Sequence, residues 1–324
     1  MKKIIIASFF ALIFVAGSVI TLHAWGFWGH HKINRLAVFT LPDPLKTFYE
    51  KHIDFITDHA VDPDLRRNLN KNEGVRHFID AEIYGKAPFD SIPKLWKDAV
   101  KKYNHDTLMK YGINPWYVDS LMTQLTQAFR DYKIEMALAI SADLGHYIGD
   151  AHVPLHTSVN YDGQLTNQKG IHGLWESRIP EILGDKYNLY AGKAVYIADP
   201  LAESWKILRE SYSEKDSVLY LEKHLNDTFP QDKKYTIITK NDTVKIQIFS
   251  ERYARSYNAL LNGMVERKMR ESIKDVGSFW YTAWVNAGRP MINEFDRTML
   301  TPESIKKLTE EESKWVSGSS STTH

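Results

Sequence analysis

His146-Tyr-Ile-Gly-Asp150-Ala-His152-Val-Pro154-Leu-His156, followed after a polar loop by His172-Gly-Leu-Trp-Glu176, is the stretch from which the rest of the chain is read. His146/Asp150 and His172/Glu176 are each spaced i, i+4. On a helix that spacing puts both side chains on one face, one turn apart. Imidazole and carboxylate converging on one point is how a helix offers ligands to zinc. One such pair is weak evidence; two, with His156 between them, point to a site for more than one ion. Residues 134–144 are almost all small or apolar, so the helix leading into His146 is expected to be buried and rigid. Pro154 should end that helix and turn His156 back toward the same site.

Composition narrows the chemistry. The chain has 324 residues, 43% apolar and 25% charged, ordinary for a globular protein with a real core. Its formal charge of +1 gives no global basic field for nucleic acid. An enzyme that cleaves phosphodiesters can still use metal charge locally. Cysteine is absent, which excludes disulfides and thiolate zinc sites. Any metal must rest on His, Asp, Glu and backbone groups, a donor set that suits zinc better than magnesium.

Outward from the central stretch, residues 1–24 read as a secretory signal: Met-Lys-Lys, an apolar run from Ile4 to Ile20, and Leu22-His23-Ala24 before the mature chain. An uncleaved anchor is the competing reading, because the run is nearly long enough to span a membrane. Cleavage after Ala24 would free the α-amino group of Trp25. That amine, its own carbonyl oxygen and His30 could then chelate zinc. The expected location is secreted or periplasmic. Helices are expected over Lys32–Thr40, Ser91–Tyr103 and Pro115–Tyr132, around 198–211 and 215–225, and through 250–288, where Trp280, Tyr281 and Trp284 face the core. His172–Ile179 should restart a helix that stops at Pro180. Tyr235–Phe249 is the one good β signal and reads as a hairpin around Lys240-Asn-Asp242. Asp64 reads as a helix-capping or dipole partner. The tail from Thr301 is charged, then Ser/Thr-rich, and should fray. The fold class is therefore all-α: one multi-helix domain over 25–298 with a small hairpin excursion, a signal peptide over 1–24, and a tail over 299–324.

Taken together, Trp25-Gly-x-x-Gly-His30, Asp62, His77-Phe-Ile-Asp80, His146-x-x-x-Asp150-x-x-x-x-x-His156 and His172-x-x-x-Glu176 resemble the superfamily of zinc-dependent phospholipases C and single-strand-specific nucleases (the nuclease S-one/P-one type). The resemblance implies an almost all-helical fold and a trinuclear zinc site. One zinc would rest on Asp62, His77, His146 and Asp150. A second would rest on His156, His172 and Glu176. A third would take the amine and carbonyl of Trp25, His30 and Asp150, so that Asp150 bridges two ions. Asp80 corresponds to an acid near the metals. Zinc ions roughly 3.5–4 Å apart can share a water, lower its pKa and clamp the attacking and leaving oxygens of a phosphodiester. Asp62 or Asp80 would be the catalytic residue that orients that water, and the residues do not choose between them.

Two departures bear on substrate. Glu176 stands where the nucleases usually carry Asp, and the loop 157–171 lacks their Gly-Gly-Asn element. The leading reading is a nuclease acting on single-stranded nucleic acid or nucleotides (endonuclease/3'-nucleotidase type). A phospholipase C acting on phospholipid head groups is the alternative, and a non-catalytic helical binding protein stabilised by zinc is a remote one. A nuclease needs aromatic faces for unpaired bases, for which Phe27, Trp28, Phe78, Tyr161 and Trp175 are available. His152 falls outside the matched positions and reads as a packing residue. No stable protein partner is implied, and a monomer is expected.

Overall fold

The computed structural model describes residues 25–240, 244–291 and 300–318. The signal-peptide reading and the hairpin turn lie outside the described residues. The helix that organises the rest is Ile134–Ala151. It is half exposed over its first turns, but from Leu144 to Ala151 every residue is buried. Its end is set by Pro154, which holds Val153 extended (φ −82°, ψ 116°) and opens a short 3-10 turn over Pro154–Thr157.

Two helices flank it. Asn114–Arg130 packs along one side. The N-terminal helix Gly26–Thr40 crosses the other and packs in turn on Met264–Asn286. The N-terminal crossing is close because Gly145 and Gly149 lie one turn apart on the central helix. A Cβ on Gly145 would fall 2.1 Å from Asn34 Oδ1, and one on Gly149 would stand 3.4 Å from Trp25. Asn34 cannot move aside freely, since its amide donates to the carbonyls of Ala142 (3.1 Å) and Ile56 (3.4 Å). Trp280 ties the third helix to this core: its ring stacks on Tyr49 (4.7 Å) and its Nε1 donates to Ser141 O at 3.0 Å. Trp284 is also buried and Tyr281 is partly so.

The all-α class with one hairpin holds. Strands Tyr235–Lys240 and Val244–Phe249 pair antiparallel, with Tyr235 opposite Phe249. No described helix is long and apolar enough to cross a membrane.

Several expected boundaries moved. The first helix begins at Gly26 rather than Lys32. Ser91–Tyr103 is split, because Pro93 holds Ile92 extended and the helix resumes at Trp96. The two helices expected over 198–225 are one, Pro200–Thr228. Pro180 does not stop the helix at 172–179. The chain passes through a π turn over Leu174–Arg178 and continues over Ile179–Leu183. Pro180 lacks an N–H and its ring would press on the carbonyl of Glu176, and a widened turn relieves both faults. The tail does not fray at Thr301: Pro302–Val316 is a docked helix, with Trp315 buried and its Nε1 donating to Leu189 O at 2.7 Å.

Substituting Gly145→Ala should lower stability by about 1–3 kcal/mol through overpacking against Asn34. Thermal denaturation of the variant beside wild type checks this; an unchanged midpoint would show that the helices can separate at no cost.

Candidate metal centre

The functional side chains are delivered by several separate pieces of backbone. His30 comes from the N-terminal helix, His146 and Asp150 from the central helix, and His156 from the 3-10 turn after Pro154. His77 follows a short 3-10 turn, and His172 and Glu176 come from the segment entering the π turn. Among the described residues three groups of converging ligand atoms result: His30/Asp64/His146, His77/His146/Asp150, and His156/His172/Glu176, all buried.

Asp150 joins them. Its Oδ2 lies 2.9 Å from His77 Nδ1 and 3.3 Å from His146 Nε2. Its Oδ1 faces the other way, 3.5 Å from His30 Nε2 and 3.9 Å from His156 Nδ1. The two oxygens of one carboxylate thus face His77 and His146 on one side and His30 on the other. Trp25 anchors the start of this arrangement: its indole is fully buried against Trp175 and donates to Gly149 O at 2.6 Å, one residue before Asp150.

The donor set fits a cation. His156 Nδ1 faces His77 O at 2.8 Å, and His172 Nδ1 faces Tyr161 O at 3.1 Å. A carbonyl only accepts, so each Nδ1 carries the proton and each Nε2 is left with a lone pair. Those two Nε2 atoms are 3.0 Å apart, and Glu176 Oε2 lies 2.8 Å from one and 3.5 Å from the other. Three electron-rich atoms held together in a buried site call for positive charge between them. Ligands at zinc distances on a tetrahedron stand about 3.3 Å from one another. His30 Nδ1 and Nε2, Asp64 Oδ2, Asp150 Oδ1 and both Glu176 oxygens are buried without a hydrogen-bond partner. His146 Nδ1 is held by Ala60 O at 2.9 Å, which fixes the tautomer that offers Nε2 to the cluster.

The proton affinities divide the cluster. Burial pushes His30, His77 and His172 down to about 4, so each is neutral and ligand-ready at neutral pH. Burial pushes the Glu176 carboxyl up to about 8, although His156 opposes the shift. Burial also works against ionised Asp150, but the charges of His146 and His156 hold it well below the usual carboxylate range. His146 goes the other way, to about 9: burial lowers it, and Asp150 and Asp64 more than offset that.

One expectation fails. Asp62 is not among the converging ligands. It lies at the first position of the short helix Asp62–Arg66, part exposed, with its Oδ2 2.7 Å from His59 Nδ1. Two residues are about 200° of helix, so Asp64 points the opposite way. Asp64 is buried, with Oδ1 3.9 Å from His77 Nδ1 and 4.0 Å from His146 Nε2. Its reading as a helix-end partner is replaced by a place in the cluster. Arg67 was also missed. Its Nη1 lies 3.5 Å from Asp64 Oδ1, and its charge reaches both His77 and His172. The Asp64/Arg67 spacing of i, i+3 was the available signal.

Asp80 is half buried, with its carboxyl pushed up to about 6 by desolvation and by Glu82. It follows Ile79, whose N–H donates to His156 O at 2.9 Å, so its backbone is clasped to the site. His152 faces away, 3.0 Å from Asp275 Oδ2.

A model of the S1/P1 nuclease family matches residues 25–270, from the buried Trp25 through every ligand-bearing segment. The chain belongs to the S1/P1 nuclease family. No curated protein matches it. Membership makes the protein a zinc-dependent phosphoesterase, a hydrolase with nuclease or phosphodiesterase function. It also places the chain in the phospholipase C/nuclease P1 superfamily.

Asp64→Asn should remove at least one equivalent of bound zinc, and Asp62→Asn should remove none; metal analysis of the two purified variants checks this. A second expectation concerns Glu176 in zinc-stripped protein. Its folded pKa is raised, so its contribution is complete below about 4.5 and is lost as pH rises toward 8. The melting temperature of stripped wild type, relative to stripped Glu176→Gln, should therefore fall between those pH values. Restoring zinc should abolish the fall.

Proposed function

We propose that this enzyme is a secreted trinuclear-zinc nuclease that prefers single-stranded nucleic acid or nucleotides. The observation that carries the reading is the division of Asp150 between His77/His146 on one oxygen and His30 on the other. A carboxylate shared in this way suits adjacent ions. On this reading Asp64, His77, His146 and Asp150 hold one zinc, and His156, His172 and Glu176 hold a second. His30, Asp150 and the amine and carbonyl of Trp25 hold the third, once cleavage after Ala24 has freed the amine. Zinc ions so held lower the pKa of bound water and neutralise charge on phosphate oxygens.

The chain's own groups do the rest. Arg67, part exposed beside Asp64, puts a guanidinium where an anionic phosphate must approach. Asp80, with a pKa of about 6, exchanges a proton near neutral pH. Of the five aromatic residues, Trp175 is fully buried and Trp28 packs on the core. Tyr161 is 53% exposed with its ring 6.0 Å from that of His172, which makes it the best placed to stack a base beside the second ion.

The test is side-by-side hydrolysis of a single-stranded oligonucleotide, its duplex and phosphatidylcholine by the mature, zinc-loaded protein. We expect the single strand to be cut fastest and exhaustive chelation to stop the reaction. Tyr161→Ala should raise KM for the single strand roughly 5- to 100-fold, the worth of one stacked base, with kcat little changed. Faster turnover of phosphatidylcholine than of any nucleic acid would replace the nuclease reading with a phospholipase.

A further inference from the structure

Between Asp64 and His77 lies an acid that the reaction does not use. Glu73 is completely buried. Its Oε2 accepts from Arg76 Nη1 at 2.7 Å and lies 3.6 Å from Arg66 Nε. Arg66 also forks onto Asp143 of the central helix, at 3.2 and 2.7 Å. The two carboxylates and two guanidiniums balance, so this is not an acid in need of an ion. Its other oxygen is turned toward the metal centre. The hydroxyl of Tyr147, next in sequence to His146, donates to Glu73 Oε1. The same oxygen is 4.0 Å from His77 Nε2, which is buried and has no hydrogen-bond partner.

We propose that Glu73 is the positioning residue for the zinc held by Asp64, His77, His146 and Asp150. It joins the three pieces of chain that supply those ligands: the Asp64 segment through Arg66, the His77 segment through Arg76, and the central helix through Tyr147. Its Oε1 faces the far nitrogen of His77, where a metal-bound histidine needs an acceptor to fix its ring and raise its basicity. A small rotation of the imidazole would close the 4.0 Å separation to a hydrogen bond. Glu73 touches neither substrate nor ion and acts through His77 and His146. This inference rests on the zinc reading above.

The test compares Glu73→Gln, which keeps the shape and removes the charge, with Glu73→Asp, which keeps the charge for both arginines and draws the oxygens back by one methylene. Zinc release to a chelator is followed by equivalents, and the visible spectrum of the cobalt-substituted protein reports ligand geometry. One equivalent should leave Glu73→Gln about 10- to 100-fold faster than wild type, the usual cost of losing such a partner. The remaining equivalents should leave at the wild-type rate, and the cobalt bands should shift. Should the Gln variant not fold, Glu73→Asp carries the test with the same selective loss. Release at wild-type rates from a folded variant overturns the proposal. So does loss of all equivalents together in step with the melting temperature, which is what a purely structural residue would give. A wild-type protein that retains no zinc sinks the reading beneath; a wild type that retains it, beside variants that release it no faster, sinks only the role of Glu73.

Discussion

The constraint on which this structure depends is the removal of several acids and imidazoles from water at one point. Burying an ionised carboxylate without a partner is among the most unfavourable events in folding. Here Asp64, Asp150 and Glu176 are all buried among His30, His77, His146, His156 and His172. Only concentrated positive charge makes such a collection affordable, and zinc supplies it without a proton. The surrounding fold can be understood as the means of holding these groups together while water is kept out. Helices suit this because most of the backbone in the central helix is satisfied within its own segment.

Close approach is the second requirement. His30 stacks on His146 with ring centroids 3.8 Å apart, and its backbone must come within reach of the central helix. Gly145 and Gly149 permit that approach, and Asn34 fixes its register through the carbonyls of Ala142 and Ile56. Polar contacts then set orientation: Ala60 O, His77 O and Tyr161 O each take the second nitrogen of a different histidine. None of these carbonyls is a ligand, yet each decides which lone pair faces inward.

What the sequence made legible follows from range. The i, i+4 pairs His146/Asp150 and His172/Glu176 were readable because both members lie within one turn. The all-helical class and the hairpin were readable from periodicity. The choice between Asp62 and Asp64 was not, since it depends on the phase of a five-residue helix whose start no local signal fixes. The resemblance pointed to the wrong acid, and only the placement of His77 and His146 on other segments separates the two. Pro180 misled for a related reason. A proline ends an α-helix by rule, but the rule assumes α geometry, and the chain widens to a π turn at Glu176. The docking of Pro302–Val316 depends on partners hundreds of residues away, so its charged sequence looked like a solvated tail.

That last helix lies beyond the family-matched residues, and Arg35 binds it through both oxygens of Glu311, at 2.6 and 2.8 Å. Arg35 belongs to the same helix as His30 and also reaches Asp54 at 3.0 Å. The brace on the first helix of the folded enzyme is therefore made from residues translated well after that helix. A nascent chain holds every side chain of the buried cluster long before it holds Glu311, so this brace closes after the cluster's residues have all been made.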